Sequence, residues 1–148
     1  MKISTKGRYG LRILIDLATH APEKPRLLKD IAQSQLVSEK YLSRLVLDLR
    51  RAKLIRSVRG SKGGFYLARS PETITLLEIL ETMEGPISVV GCATSPGKCN
   101  RRTPCPMRNV WQRLNDDIRE VTGKITLEDI LDSYRAQNAE EGFWDYCI

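Results

Sequence analysis

The chain has 148 residues, 41% of them hydrophobic and 28% charged, with a formal net charge of +6 at pH 7. This length allows one domain with an appendage, or a small domain with a dimerisation element. No apolar run approaches the ~20 residues that a bilayer-spanning helix needs, and the polar first residues lack the apolar core of a signal peptide. We therefore expect a cytoplasmic protein without membrane contact.

Charge is distributed unevenly along the chain. Residues 1–70 contain 16 Lys or Arg against 5 Asp or Glu, a net of +11, whereas residues 71–148 contain 8 against 13, a net of −5. A first half this basic indicates a polyanionic partner, most readily a nucleic acid. A merely solvated basic surface would have the same composition, so the prediction depends on where the charges lie.

Apolar residues at helical spacing predict two helices at the start of the basic half. The first extends from Tyr9 to Leu17 and is followed by Pro22 and Pro25, which end it and begin a loop. The second is short and is centred on Ile31. A polar connector, residues 33–35, separates it from the next element.

A third helix is predicted to begin after Ser38. Serine is a favoured N-cap residue, and Glu39 in the first turn complements the positive end of the helix dipole. An apolar stripe at helical spacing follows, formed by Leu42, Leu45, Val46 and Leu49. The opposite face is polar and basic, with Lys40, Ser43, Arg44 and Arg51. A short helix, a tight turn and a second helix with a basic outer face are typical of a helix-turn-helix.

Residues 54–68 predict a β-hairpin directly after the third helix. Both ends of this segment are rich in β-prone residues, and its glycine-rich centre provides positive-φ positions for a tight turn. The turn carries Arg59 and Lys62, so the hairpin has the form of a basic wing. A phosphate-binding P-loop would need Ser or Thr after the lysine and then a helix, whereas Gly63 and a strand follow here.

Three of the four cysteines fall within fourteen residues, at Cys92, Cys99 and Cys105. Glycines and prolines in this segment are expected to prevent helix or strand, which leaves a loop able to wrap around one metal centre. Lys98, Arg101 and Arg102 lie between the cysteines, and their positive charge favours the thiolate over the thiol.

The spacing of these cysteines favours an iron–sulfur cluster over zinc or a disulfide. A structural disulfide suits secreted proteins, and the start of the chain does not resemble a signal peptide. Zinc sites usually contain CxxC pairs and a fourth Cys or His, but no CxxC occurs and the only histidine, His20, lies in another part of the chain. Iron–sulfur clusters accept wider spacing.

The second half is predicted to be helical and to supply a dimer contact. Thr75 and Glu78 form a capping-box pattern that begins a helix, and Gly85-Pro86 ends it. Beyond the cysteines an apolar stripe runs along residues 108–122, formed by Val110, Trp111, Leu114, Ile118 and Val121. It packs either on its own domain or against a twofold mate. A last helix begins with Thr126 as its cap, and residues 137–148 have no periodicity.

Two groups of motifs together are distinctive. The basic half contains Lys6-Gly7-Arg8-Tyr9, Ser38-Glu-Lys-Tyr41-Leu42, Val58-Arg59-Gly60 and Gly63-Gly64, and the second half contains the three-cysteine loop. In this order they resemble the Rrf-type winged-helix transcriptional regulators, whose members include IscR, NsrR and CymR. The resemblance covers nearly the whole chain, and the loop lies where IscR and NsrR hold an iron–sulfur cluster.

The resemblance implies roles for individual residues. Cys92, Cys99 and Cys105 would be the cluster ligands. It implies DNA contacts for Lys40, Ser43, Arg44 and Arg59, and we predict that Ser38, Tyr41 and Lys62 contact DNA as well. An arginine at position 44 suits guanine, through bidentate hydrogen bonds to O6 and N7. Ser43 and Arg44 differ from the Glu-Gln pair of IscR, so a different operator sequence is expected.

The cluster site departs from the family pattern. The first gap between cysteines is longer than in IscR and NsrR, Arg108 stands where IscR has a histidine ligand, and Arg8 stands where NsrR has an aspartate. Arginine stays protonated and offers no lone pair to a metal. The fourth ligand is therefore open, with Asn109, Asn100, Cys147 and an exogenous thiol or water as candidates.

These observations predict a mainly α-helical fold with a small β-wing, in which a winged helix-turn-helix domain precedes a long dimerisation helix. We expect residues 1–70 to bind DNA, residues 71–137 to form a helical dimerisation region with the cysteine loop, and residues 138–148 to be a C-terminal tail.

The expected function is that of a homodimeric transcriptional regulator, a repressor, which binds a palindromic double-stranded operator. A 2Fe–2S or 4Fe–4S cluster that senses iron–sulfur status, nitric oxide or redox state would control its affinity. One alternative is a regulator with structural zinc or a thiol-based switch in the loop. The other is an iron–sulfur redox enzyme, which the lack of a Rossmann or P-loop fingerprint and of an acid–base pair argues against. We therefore expect no enzymatic activity.

Overall fold

The computed structural model describes residues 2–20, 24–94 and 105–141. These residues form seven α-helices, one 3-10 helix and a two-stranded sheet. The basic half contains α1 (Thr5–His20), α2 (Leu28–Ser34), α3 (Glu39–Arg51), β1 (Ile55–Val58) and β2 (Gly64–Leu67). The second half contains the 3-10 helix (Pro71–Thr73), α4 (Leu76–Glu84), α5 (Gly91–Thr94), α6 (Arg108–Lys124) and α7 (Leu127–Glu141). Among these helices none is both long and apolar enough to span a membrane.

Helix α1 begins before the predicted Tyr9 and ends beyond the predicted Leu17. The early start has a tertiary cause, because Glu84 at the end of α4 lies against the first turn of α1. Its Oε1 accepts hydrogen bonds from Ser4 N at 2.9 Å and from Gly7 N at 3.0 Å. Both donors lie at the start of the helix, where N–H groups lack an intrahelical acceptor. Local periodicity does not indicate a cap that comes from another helix.

Helix α2 includes Gln33 and Ser34, which the sequence predicts to lie in a connector. That prediction is wrong for these two residues, and the turn between α2 and α3 is correspondingly tight. Within it, Leu36 has a φ of +53°, and its side chain is 91% exposed. Left-handed backbone is disfavoured for bulky residues, so this turn is held by its surroundings rather than by local preference.

Helix α3 confirms the predicted cap and the predicted buried stripe. Ser38 Oγ accepts a hydrogen bond from Tyr41 N at 3.2 Å. All four stripe residues are buried, namely Leu42, Leu45, Val46 and Leu49. The basic outer face consequently points into solvent.

The wing is an antiparallel pair in which β1 and β2 align Ile55 with Leu67 and Val58 with Gly64. Its tip has the expected positive-φ glycine, Gly60, at +116°. A Cβ on Gly63 would lie 2.3 Å from the carbonyl oxygen of Val58, so only glycine fits there. The predicted wing is confirmed, and its strands are short.

One hydrophobic core joins the two halves of the chain. From the basic half it takes Ile13, Leu14, Leu17, Ile31, Leu42, Leu45, Leu49, Leu54 and Ile55, and from the second half Ile74, Ile79, Met83, Leu127 and Leu131. Helix α4 packs on α1 so closely that a Cβ on Gly10 would lie 2.5 Å from Met83 Cγ. The core therefore extends across the predicted domain boundary at residue 70.

Helix α4 shows half of the predicted capping box. Thr75 Oγ1 accepts from Glu78 N at 3.2 Å, but the Glu78 carboxylate turns to Arg69, 2.6 Å away. Gly85, with a φ of +82°, ends the helix as expected.

Two predictions in the second half need correction. The cysteine segment was expected to contain no helix, but Cys92 lies in α5, a single turn from Gly91 to Thr94. Helix α7 begins after the predicted cap Thr126, whose Oγ1 accepts from Asp129 N at 3.1 Å, and continues to Glu141. It thus enters the predicted tail 138–148. The buried Leu127 and Leu131 fix the first turns of α7 in the core. Because extending a helix is easier than starting one, the non-periodic residues that follow continue it.

Candidate DNA-binding surface and cysteine loop

The outer face of α3 presents polar and basic side chains to solvent. Lys40, Ser43 and Arg44 are exposed, and among the described residues no carboxylate pairs with Lys40 or Arg44. Ser43 Oγ donates to the carbonyl oxygen of Lys40 at 2.9 Å. Because the opposite face of α3 is fixed in the core, this surface is a rigid platform that can enter a major groove.

Tyr41 lies at the junction of α1 and α3 rather than on the open face. Its ring meets that of Tyr9 edge to face, with centroids 5.8 Å apart, and the Arg12 guanidinium lies 5.3 Å from the Tyr9 centroid. Burial raises the pKa of Tyr41, the nearby Tyr9 and Glu84 raise it further, and Arg8 lowers it. The hydroxyl therefore stays neutral near pH 7, available as a hydrogen-bond donor, while the ring positions α3.

The wing places two further predicted residues at an exposed tip. Arg59 and Lys62 are both exposed, and the turn between them is closed by a hydrogen bond from Gly63 N to Gly60 O at 2.9 Å. Strand β1 of the wing is tied to α3, since Arg50 Nη1 donates to Ser57 Oγ at 3.4 Å. This geometry suits contact with phosphates or an adjacent minor groove.

A buried polar cluster behind this surface was missed by the sequence analysis. Asp16, in α1, is 2% exposed and accepts hydrogen bonds from Arg26, Ser34 and Gln35. The only signal in the sequence is an acidic residue within an apolar helical run, because its partners lie on other elements.

The structure describes two of the three loop cysteines. Cys92 lies exposed in α5, and Cys105 lies partly exposed just before α6, where its carbonyl oxygen accepts from Arg108 N at 3.2 Å. Helix α5 packs against α6, which brings the Cys92 helix to the helix that follows Cys105. Cys99 lies outside the described residues, as do Asn100 and Cys147. Among the residues that the structure describes, no three His, Cys, Asp or Glu side chains are grouped so that they could hold a metal ion.

The two arginines that stand at the relatives' ligand positions, and one asparagine considered as a fourth ligand, are exposed. Arg108 and Asn109 are in the first turn of α6, and Arg8 is in the first two turns of α1. Neither arginine can donate a lone pair to a metal, whereas the amide oxygen of Asn109 can. The donor set of the loop, two described thiols and Cys99 between them, suits a thiophilic metal centre.

Helix α6 leaves most of its predicted apolar stripe open to solvent. Val110, Leu114 and Val121 are 51%, 41% and 59% exposed, and Trp111 and Ile118 are half-buried. Its other side packs on α4, where Arg119 pairs with Glu81. Folding back onto the same chain, the alternative left by the sequence, therefore does not cover this stripe within the described residues.

One buried atom beside this stripe also lacks a partner. Asn115 is 8% exposed, and among the described residues nothing donates a hydrogen bond to its Oδ1. Leaving such an acceptor unsatisfied costs roughly 1–3 kcal/mol.

The chain is similar over most of its length to known transcriptional regulators. A family model named Rrf2, described as an iron-dependent transcriptional regulator, matches residues 3–133. The HTH-type transcriptional regulator CymR of Bacillus subtilis is 46% identical over 132 residues, which cover 88% of this chain and 89% of the relative.

Two solved structures have the same fold. The structure of CymR, called the global cysteine regulator of B. subtilis, has a TM-score of 0.76 at 43% identity and covers 90% of this chain and 98% of its own. The structure of T. potens IscR has a TM-score of 0.72 at 37% identity, and the match covers 99% of this chain and 94% of the IscR chain. These likenesses confirm the predicted winged-helix fold, and the relatives are named as transcriptional regulators, which form a non-enzymatic family. The chain belongs to the Rrf2 family of DNA-binding transcriptional regulators.

Proposed function

We propose that this chain is a homodimeric repressor whose affinity for a palindromic operator is set by an iron–sulfur cluster in the Cys92–Cys105 loop. The observation that carries the proposal is the packing of α5 against α6. Cys92 lies in α5, Cys105 directly precedes α6, and α6 carries the open apolar stripe. Cys92, Cys105 and the proposed dimer contact therefore lie on two helices that pack against each other.

The DNA-binding part of the proposal rests on the charge and rigidity of α3 and the wing. Arg44 on α3 and Arg59 on the wing project from elements that the core holds in place. A helix inserted in the major groove and an arginine at its flank together span one operator half-site. Residues 1–70 supply the positive field, with a net of +11, that draws the protein to DNA.

The dimer part of the proposal rests on the uncovered stripe of α6. Three large apolar side chains more than two-fifths exposed on one helix face are typical of an interaction surface. A twofold mate packed on this face buries the stripe, and it can also donate a hydrogen bond to Asn115 Oδ1. A twofold dimer presents two recognition helices to two half-sites, which makes the operator a palindrome.

The cluster part of the proposal rests on the donor set. Cys92, Cys99 and Cys105 would hold the cluster, and the fourth position is open to Asn109, Asn100, Cys147, or an exogenous thiol or water. A bound cluster would supply a centre that reacts with oxygen or nitric oxide. With both outer thiolates bound to one cluster, Cys92 and Cys105 would connect α5 to the start of α6. Loss of that link changes how α6 meets its mate and how far apart the two recognition helices lie.

A thiol-based switch is the second candidate, favoured by the likeness to CymR. That relative is called a global cysteine regulator and is 46% identical to this chain. Cys92 and Cys105 are both free thiols, and Cys92 is exposed. Reaction with an oxidant would join two thiols in a disulfide and would draw α5 and the start of α6 together without a metal. A structural zinc ion bound by the same thiols is a further alternative.

Anaerobic purification followed by absorption spectroscopy and by iron, sulfide and zinc analysis tests the proposal. We expect a brown, sulfide-containing protein that loses the cluster in Cys92→Ala, Cys99→Ala and Cys105→Ala. Cys147→Ala is the matched control and keeps the cluster unless the tail supplies the fourth ligand. Operator affinity of the holo and apo forms is then compared by fluorescence anisotropy.

Each outcome distinguishes the candidates. A colourless, zinc-loaded protein supports the zinc alternative. A colourless, metal-free protein whose DNA affinity changes on oxidation supports the thiol switch. Equal operator affinity with and without the cluster contradicts the sensor role.

A further inference from the structure

Asp16 is a buried carboxylate in the second half of α1, away from the exposed basic faces of α3 and the wing. Its side chain is 1% exposed, within a helix whose Ile13, Leu14 and Leu17 lie in the core. Burying a charged group is costly unless that group is paired and hydrogen-bonded. The partners of its two oxygens therefore decide what this residue does.

The first oxygen, Oδ1, is linked to the wing. Arg26 Nε donates to it at 2.9 Å, and the Arg26 side chain is itself 22% exposed. The backbone of Arg26 pairs with Phe65 in β2 in both directions, with Arg26 N to Phe65 O and Phe65 N to Arg26 O each at 2.9 Å. Arg26 thus acts as a third strand position beside the wing. Asp16 fixes its side chain while the sheet fixes its backbone.

The second oxygen, Oδ2, is linked to the turn before α3. Ser34 Oγ donates to it, and Gln35 Nε2 donates at 3.2 Å. Ser34 is the last residue of α2, and Gln35, 6% exposed, is its C-cap. The strained Leu36 follows directly, with its φ of +53°. The carboxylate therefore anchors the point from which the chain enters the recognition helix.

We propose that Asp16 is a positioning residue that fixes the spacing between the recognition helix α3 and the wing, and so fits both to one operator half-site. This inference rests on the proposed DNA-binding function. Arg44 and Arg59 can each contact a base only if the side chain comes within hydrogen-bonding reach of one base edge. Phosphates occur at every step of the backbone, so contacts to them tolerate small shifts.

The alternative is that Asp16 contributes only to the stability of the fold. The two roles differ in the measurement that each affects. A stabilising residue alters the folded fraction and hence all DNA binding equally, whereas a positioning residue alters the ratio of specific to non-specific affinity.

The test compares Asp16→Asn with the wild-type chain on two duplexes. One is the operator that the wild-type protein selects from random sequences, and the other is a random duplex of equal length. Asparagine keeps the volume and one acceptor oxygen but removes the charge that pairs with Arg26. We expect operator affinity to fall about 10- to 100-fold. Affinity for the random duplex should change less than about twofold, and its salt slope should not change.

Single-sided variants separate the two links and serve if Asp16→Asn folds poorly. Ser34→Ala removes a partner of Oδ2 alone, and it should relax preference at base pairs that α3 reads. Arg26→Gln removes the cation that is hydrogen-bonded to Oδ1 and leaves His20 Nδ1, 3.6 Å from that oxygen, in place. It should relax preference where the wing lies. Amide exchange at Phe65 should quicken in Asp16→Asn and Arg26→Gln but not in Ser34→Ala.

A matched control removes stability without touching this cluster. Ile79→Val, in the core part of α4, should lower the unfolding midpoint but keep the ratio of operator to random affinity. Equal losses on both duplexes in Asp16→Asn, or a ratio that falls equally in Ile79→Val, would overturn the positioning role. A wild-type protein that selects no sequence at all contradicts the proposed function instead.

Discussion

Arg44 and Lys62 carry the same charge but are held by elements that approach DNA in different ways. Arg44 projects from α3, whose other face is locked in the core by Leu45 and Leu49. Lys62 lies on a glycine-rich turn at the end of two four-residue strands. A fixed platform favours base reading, whereas a protruding tip favours phosphate contact. We therefore expect these two residues to have separable effects.

Replacing Arg44 by Ala should relax preference at one base pair in each half-site, at a cost of roughly 1–3 kcal/mol. Replacing Lys62 by Ala should weaken binding to all sequences and lower the salt slope by about one unit per protomer, because one phosphate contact is lost. Anisotropy titrations against the operator and its single-base variants, at several salt concentrations, measure both effects.

Lys124→Ala is the matched control for these variants, because Lys124 is highly exposed on α6 and has the same charge. It should change neither base preference nor the salt slope by a comparable amount. If Lys62→Ala altered base preference while Arg44→Ala did not, the two roles would be assigned the wrong way round.

Helix α3 ends in a Schellman motif that contains a residue ill suited to it. Leu54 N donates to Leu49 O and Lys53 N donates to Arg50 O, each at 3.0 Å, and Lys53 has a φ of +58°. Glycine is the usual residue at this position because it has no Cβ to clash in the left-handed region. Lys53 therefore stores strain at the joint between the recognition helix and the wing.

Lys53→Gly should raise the free energy of unfolding by about 1 kcal/mol, since a left-handed non-glycine residue costs roughly 1–2 kcal/mol. Urea unfolding followed by circular dichroism measures the change. The control is the neighbouring Ala52→Gly, where φ is −75°. There glycine should destabilise by at least about 0.5–1 kcal/mol, because it adds freedom to the unfolded chain and loses the Ala52 methyl group that packs against the core. Changes of the same sign in both variants would contradict the strain at Lys53.

Elements fixed by local chemistry could be predicted from the sequence. The cap at Ser38, the buried stripe of α3 and the glycine-tipped wing depend on residues a few positions apart, and each is confirmed. The start of α1 depends on Glu84, which is 80 positions from Ser4. No window on the sequence contains both residues, so the helix was predicted too short.

The same distinction applies to the candidate site. The exposed basic residues of α3 and the wing follow from periodicity and turn chemistry. Asp16 does not, because its partners Arg26, Ser34 and Gln35 are brought together only by the packing of three elements. Tyr41 is predicted to contact DNA, and that contact stays a prediction, but the sequence does not show that its ring packs edge-on against Tyr9. The sequence pattern gives the face of a helix, and packing decides which of its residues remain open.

At the scale of the whole molecule, α6 is the described helix of eight or more residues that is least absorbed in the single core. Helices α1, α3, α4 and α7 each contribute buried apolar residues, whereas the only buried residue of α6 is the polar Asn115. The open stripe begins a few residues after Cys105, so any change at the thiols reaches the proposed dimer contact first. This arrangement would link the proposed sensing to dimer geometry without a path through the core.

Substituting Leu114 and Ile118 together by Glu should convert the dimer to monomer. In the dimer the two new carboxylates of each chain would face those of the mate in an apolar contact, where unpaired like charges are strongly unfavourable. In the monomer they would lie on a solvated helix face, so the fold itself should persist. Sedimentation velocity measures the mass, and circular dichroism checks the fold. Operator affinity should fall sharply, because two half-sites about one helical turn apart need linked recognition helices.

Arg113→Glu is the matched control, because it changes the charge of each chain by the same two units at an exposed position of the same helix. It should remain dimeric and keep its operator affinity within a few-fold, since it lies outside the stripe. A double variant that stays dimeric would place the interface elsewhere on the chain. A monomer that still binds the full operator as tightly as the wild type would separate dimerisation from DNA recognition. The palindromic operator would then have no structural basis.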